Sequence, residues 1–214
     1  MKRIYYFTAV LAYLAFCTIP AFSQDAGDIS LPAPVITEGK PLMEALSSRK
    51  SSRSFASREL SPRTLSGLLW AAFGINRPES GRRTAPSASN AQEIDVYAAM
   101  SRGVFLYDAG SNKLKRILSD DIRGAAGGQP FVKNAPVLLL YVADYRRMRG
   151  QESQKDFYSA ADTGFISQNV YLFCASEGLS TVVLGQFDKK LLAEKLGLAE
   201  LQKIVLVQPV GYPK

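Results

Sequence analysis

The sequence predicts an α+β fold in which a central, mostly antiparallel mixed sheet is flanked by helices. Three observations predict it. Period-two stretches follow one another closely between residues 94 and 118, as in an antiparallel meander. Helical apolar spacing lies on both sides of that meander. Helices and strands also alternate irregularly, unlike the strict βαβα order of a doubly wound sheet, and no G-x-G-x-x-G follows a strand. The chain has 214 residues, 47% apolar and 21% charged, enough for one substantial core and too few for two full domains.

The N-terminus comes first. Met1-Lys2-Arg3 is a short basic start, Ile4 to Pro20 is almost wholly apolar, and Ala21-Phe22-Ser23 is a small-x-small cleavage pattern. Residues 1–23 therefore read as a secretory signal peptide and the protein as exported, to a periplasm. The apolar run falls short of the ~20 residues a stable membrane span needs. A lipoprotein reading would use Cys17, against which the bulky Phe16 stands. Cleavage leaves one cysteine, Cys174, inside an apolar helical run, where a buried structural thiol is expected.

Residues 24–40 mix Asp, Gly, Pro and Ser without an apolar period and read as an extended arm, with ordered structure expected from near Pro41. The remaining 41–214 form one domain. Pro41-Leu42-Met43-Glu44-Ala45-Leu46 is a first helical turn with proline at its start, where the missing N–H costs nothing. Ser61-Pro62 caps a second helix carrying Leu65, Leu68, Leu69, Ala72 and Phe73 at three- and four-residue steps, up to Gly74. Residues 75–92 read as a polar loop. Residues 94–100, 104–107 and 113–118 are the meander strands, and Val137 to Val142 is a continuous apolar run expected as a central strand buried on both faces. Residues 157–177 form a long helix that is apolar nearly all round and must be covered on most sides, by the sheet and by a second subunit. Thr181 to Leu184 is a further strand, Asp188 to Leu196 a helix, and Ile204 to Val207 the last strand.

Composition removes several chemistries. The chain has no histidine, which excludes imidazole zinc sites, Ser-His and Cys-His dyads and histidine-held haem. Lys and Arg number 26 against 19 Asp and Glu, a net charge of +7 that is scattered rather than gathered into runs, so no nucleic-acid partner is expected. No metal site is expected either.

Two polar clusters remain. Arg49-Lys50-Ser51-Ser52-Arg53 gathers guanidinium forks, an ammonium and hydroxyls that can converge on a phosphate monoester. Thr84 to Gln92 offers small residues that permit close backbone approach, with Asn90 and Gln92 presenting amides suited to the edge of a planar heterocycle. Taken singly, each reads equally as an ordinary solvated segment.

Their order and spacing resemble the FMN-dependent nitroreductase superfamily. Arg49 to Phe55 is similar to its R-R-S-x-R-x-F signature, and Ala85 to Gln92 to its P-S-x-x-N-x-Q loop. Leu68 to Ile75 and Val104 to Asp108 look like the branch holding the SagB-type peptide azoline dehydrogenases. Asp162-Thr163-Gly164, Glu177-Gly178-Leu179, Leu184 to Phe187 and Val210 to Pro213 resemble the second-half landmarks. The resemblance implies an intertwined homodimer with two FMN sites at the interface. Carried over, Arg49, Lys50, Ser51 and Arg53 hold the phosphate, ribityl and pyrimidine side. Pro86, Ser87, Ala88 and Asn90 come from the other subunit to the ring edge, and Leu184, Gly185 and Gln186 lie beside flavin N5. The chain stops at Lys214 where relatives continue with basic residues, leaving Lys214 to complete the phosphate site, and Gln186 stands where a second glycine is common. The implied activity is ping-pong transfer of hydride through N5 from a small-molecule donor to a quinone or nitroaromatic acceptor, with no catalytic side chain needed. Azoline-type dehydrogenation and flavin binding without turnover are the alternatives.

Overall fold

The computed structural model describes residues 27–126 and 129–214. The leader read at residues 1–23 lies outside the described residues, as do the first residues of the arm. The rest of the arm is fastened to the sheet before Pro41. Ile29–Ser30 (β1) pairs antiparallel with residues Leu114 and Lys113, and the Pro32 carbonyl accepts from Ser66 Oγ at 2.6 Å and Asn112 Nδ2 at 2.9 Å. A two-residue strand held by distant side chains leaves no period in the sequence, so the expectation of order only from Pro41 is corrected.

Two helices follow, Leu42–Ser48 (α1) and Pro62–Phe73 (α2). In α2 the Ser61 hydroxyl accepts from the Thr64 N–H at 3.1 Å, a cap whose loss costs about 1 kcal/mol. The predicted apolar face is buried, and Leu68 and Leu69 are fully enclosed, so truncating either costs about 2–5 kcal/mol. The polar loop 75–92 contains more order than expected: Ile75–Arg77 (β2) and Arg82–Arg83 (β3) form a small hairpin, and Ala88–Asn90 a 3₁₀ turn.

The meander is as read: Ile94–Met100 (β4), Gly103–Asp108 (β5) and Lys113–Leu118 (β6) pair in sequence, all antiparallel. After a short helix Pro130–Asn134 (α3) comes Val137–Asp144 (β7), every residue of which is buried. Its side chains alternate between two cores: Val137, Leu139, Tyr141 and Ala143 face one, Leu138, Leu140 and Val142 the other. Helix Glu152–Glu177 (α4) lies on the first face and packs against α1 and α2. Ser180–Thr181 (β8), Lys189–Leu196 (α5) and Gln202–Gly211 (β9) complete the chain, with Leu192 and Leu196 of α5 in the second core. The main sheet has seven strands in the order β1-β6-β5-β4-β7-β9-β8, and every pairing among the described residues is antiparallel.

Three boundaries differ from the reading, the first being the last strand, which runs Gln202–Gly211 rather than Ile204 to Val207. Helix α4 begins at Glu152 rather than 157, started by a Gln151/Gln154 capping box, and one of its faces stays open in the single chain, with Phe157 67% and Phe165 49% exposed. The strand expected over Thr181 to Leu184 is broken. β8 ends at Thr181 and only Leu184 bridges back to Val207, because the intervening Val183 N–H leaves the ladder and donates to Tyr171 Oη at 2.9 Å.

Candidate flavin site

The basic corner is built where α1 stops. Arg49 takes an extended conformation (φ −60°, ψ 124°), and the chain runs on without regular structure against the C-terminal half of α4. The Ser52 N–H donates to the Thr181 carbonyl at 2.8 Å, and Ser180 Oγ donates to Ser52 Oγ at 3.1 Å. The Ser51 and Tyr171 hydroxyls are 3.0 Å apart, and the Arg49 guanidinium lies over the Tyr171 ring at 5.3 Å. A cavity of about 290 Å³ opens here, lined among others by Lys40, Ser48, Lys50, Ser52, Tyr171 and Pro213, and no carboxylate lines it. Lys50, Arg53 and Lys214 are exposed and make no ion pair among the described residues. Lys214 follows Pro213 directly, which puts the C-terminus beside the same cavity. Cations left unpaired next to hydroxyls and an open cavity can receive a multiply charged anion without first losing a partner.

Leu184 is buried and exchanges both backbone bonds with Val207, at 2.8 and 3.1 Å. That pairing pins the exposed Gly185 and Gln186 on the next step of the chain. Gly185 lines a second cavity of about 420 Å³ with Tyr145, Asp156, Lys189, Lys203 and Leu206. A Cβ at Gly185 would make only an ordinary contact with Leu206, at 3.6 Å. Nothing inside the chain demands glycine there.

The third group sits elsewhere. The Ala88 N–H donates to Asp162 Oδ2 of α4 at 2.8 Å, and Ser87 Oγ accepts from the Gln92 N–H at 2.9 Å. Ser89, Asn90 and Gln92 all adopt left-handed backbone, with φ of 54°, 53° and 47°. Residues without glycine's freedom hold such conformations only where surrounding bonds impose them. Those bonds centre on Gln92, whose side chain accepts from Arg83 Nε at 2.9 Å and donates to the Gly81 carbonyl and Asn90 Oδ1, both at 3.2 Å. Arg147 Nη1 donates to the Gln92 carbonyl at 3.0 Å and is itself forked onto Asp95. The expectation that Gln92 reads a heterocycle edge is therefore corrected, since its amide is consumed in shaping the loop. Pro86, Ser89 and Asn90 remain exposed. A cavity of about 670 Å³ runs from Ala88–Ala91 to Arg147, Met148, Arg149 and Tyr158, so the segment 145–158 and this loop share one space.

Arg83, Arg147 and Asp162 thus shape the loop, each reaching it from a different element. Just behind them lies Glu93, which is 0% exposed and whose carboxyl oxygens meet no donor. Burial pushes its pKa up to about 7, and the facing Asp162 carboxyl pushes the same way.

Within one chain the clusters do not meet. The basic corner rests on Tyr171 and the loop on Asp162, nine residues apart on one helix. That is about 13 Å along its axis. No cavity described above is lined by both.

The nitroreductase family model matches residues 46–212, nearly the whole described chain. The chain belongs to the nitroreductase family. MJ1384 of Methanocaldococcus jannaschii, a protein named for the same family, is 33% identical over 198 residues, covering 87% of this chain and 97% of that protein. A crystal structure of a Ralstonia eutropha JMP134 protein with the same designation is 40% identical, covers 91% of this chain and 93% of its own, and superposes with a TM-score of 0.85. The E. coli microcin synthetase complex McbBCD, solved with truncated pro-MccB17 bound, shares the fold at 18% identity with a TM-score of 0.67, covering 96% of this chain and 85% of that one. Family membership makes the protein an oxidoreductase of the flavin-using kind.

Proposed function

We propose that the protein is an FMN-dependent oxidoreductase that reduces a small quinone or nitroaromatic acceptor by ping-pong turnover, as a homodimer, in an exported location. The observation that carries this reading is the separation of the two clusters on α4. Each looks like half of a nucleotide site, and a second protomer laid along the open face of α4 would bring the halves together. That face supports such a partner. Phe157 and Phe165 are exposed on it, and α1, packed against α4, exposes Leu42 and Met43.

The residues present fit the cofactor. Lys50, Arg53 and Lys214 supply unpaired positive charge for a phosphate, with Ser51 and Arg49 braced on Tyr171 to set the direction of approach. Leu184, buried and paired with Val207, fixes Gly185 and Gln186 as an exposed stretch of backbone where a planar ring can lie close, which accounts for a glycine that internal packing does not require. Pro86, Ser87, Ala88 and Asn90 of the second protomer close the ring edge. The Ala88 N–H is already taken by Asp162, so Ala88 contributes its methyl group and Asn90 its amide. FMN held by these residues would supply the redox chemistry, hydride transfer between donor and acceptor. The chain's own part is to bind, orient and place cations where reduction leaves negative charge.

Reconstitution tests the reading. Protein purified with FMN should be yellow and dimeric by light scattering, lose absorbance near about 450 nm with a reductant and regain it with menadione or nitrobenzene. Colour without recovery points to a binder, bleaching of the oxidised flavin by an azoline peptide, which gives up two electrons and two protons as it becomes the azole, points to the azoline alternative, and colourless monomeric protein overturns the proposal.

A further inference from the structure

The carboxyl of Glu93 is the least satisfied group among the described residues. It is completely enclosed, and among the described residues neither oxygen meets a donor. The carboxyl that acts on it is that of Asp162 of α4, only 3% exposed, whose Oδ2 accepts the Ala88 N–H. Two carboxylates cannot both stay ionised in such a space. One proton resolves the arrangement: a neutral Glu93 donates to Asp162, and Asp162 keeps its remaining acceptor capacity for Ala88.

We infer that Glu93 is a positioning residue for the 86–92 loop, holding Asp162 by a donated proton so that Asp162 can anchor the Ala88 N–H and the left-handed backbone that follows. Other charges nearby are committed elsewhere. Arg147, from the turn after β7, is the cation that acts on Glu93, but its fork is engaged by Asp95. Asp95 lies on β4, two residues beyond Glu93, and Asp144 ends β7, its carboxylate held by Arg146. Arg83 of the hairpin is engaged by Gln92 and by the Phe73 carbonyl. The Glu93 backbone carbonyl, for its part, accepts from the Asp144 N–H at 2.9 Å, which fixes the residue in the sheet.

The sign of the pH dependence follows. An acid raised from 4.5 to about 7 binds its proton more tightly in the folded chain, so its stabilising contribution is complete below about 4.5 and lost as pH rises through about 7. The inference does not require flavin and can fail separately from the proposed function. The experiment is hydrogen exchange on the full-length chain, reading the protection factor of the Ala88 amide from about pH 5.5 to about pH 8.5. In the wild type, protection should fall up to about tenfold per pH unit from the start of that range to about pH 7 and level off above it. Glu93→Gln, whose amide donates at every pH, should flatten the profile while keeping protection high. Asp162→Asn, which gives Glu93 a permanent donor and Ala88 a carbonyl acceptor, should flatten it too, so misfolding of one variant leaves the other to decide. A flat wild-type profile, or an unchanged slope in the folded variants, overturns the assignment.

Discussion

The basic corner at 49–53 and the loop at 86–92 are both irregular polar segments on the same helix, yet they are held in opposite ways. The corner is fastened by its hydroxyls and backbone, through Ser51, Ser52 and Arg49, while Lys50 and Arg53 are left without partners among the described residues. The loop has its polar groups spent on itself: the Gln92 amide, two arginines and a buried aspartate impose three left-handed residues. One region keeps its charges available, and the other invests them in shape. A site that must grip an anion and also present a fixed edge to a flat ring needs both kinds of segment.

That contrast can be broken at several points. The largest effect is expected at the unpaired cations. Replacing Lys50 and Arg53 together with Ala should weaken FMN binding about a hundredfold or more, since each charge-assisted bond contributes about 1.5–3 kcal/mol. Riboflavin, which lacks the phosphate, should bind the variant and the wild type alike, and fluorescence titration with both ligands checks it. Next, Gln92→Ala strips the loop of its central amide and should cost about 2–3 kcal/mol in urea unfolding, because Arg83 loses a half-buried acceptor. Tyr171→Phe leaves the Val183 N–H without its acceptor and Ser51 without its brace; a loss of about 1–2 kcal/mol is expected by the same measurement. The smallest change sharpens the comparison by its sign. Ser89→Gly relieves a left-handed backbone worth about 1–2 kcal/mol, offset by glycine's entropy, and should stabilise by about 0.5 kcal/mol. Ser51→Gly, where no such strain exists, should destabilise by about 1 kcal/mol.

How much of this was legible depended on whether the signal was local. The Ser61 cap and the apolar steps of α2 sit within a few turns of one another, so that helix could be read outright. So could β7, whose unbroken apolar run corresponds to side chains alternating between two cores. Failures came where a distant group overrode the local pattern. Val182 and Val183 have the composition of a strand, but the Tyr171 hydroxyl draws the Val183 N–H out of the ladder. The two-residue β1 is defined by β6 and not by its own residues. At the site, residue types announced the basic corner, whereas the role of Gln92 depended on Arg83 and Arg147 reaching it from other elements. Glu93 carries no signal of its own in the sequence, and only the folded chain shows that it is enclosed.

Cys174 lies fully covered on the inner face of α4, and burial pushes its thiol far up from the ordinary range. Among the described residues it is the sole sulfhydryl, so the domain has no cross-link to gain or lose when its surroundings become oxidising or reducing. Alkylating reagents would reach that sulfur only when α4 lifts from the sheet, which makes the rate of labelling a built-in clock for opening of the core.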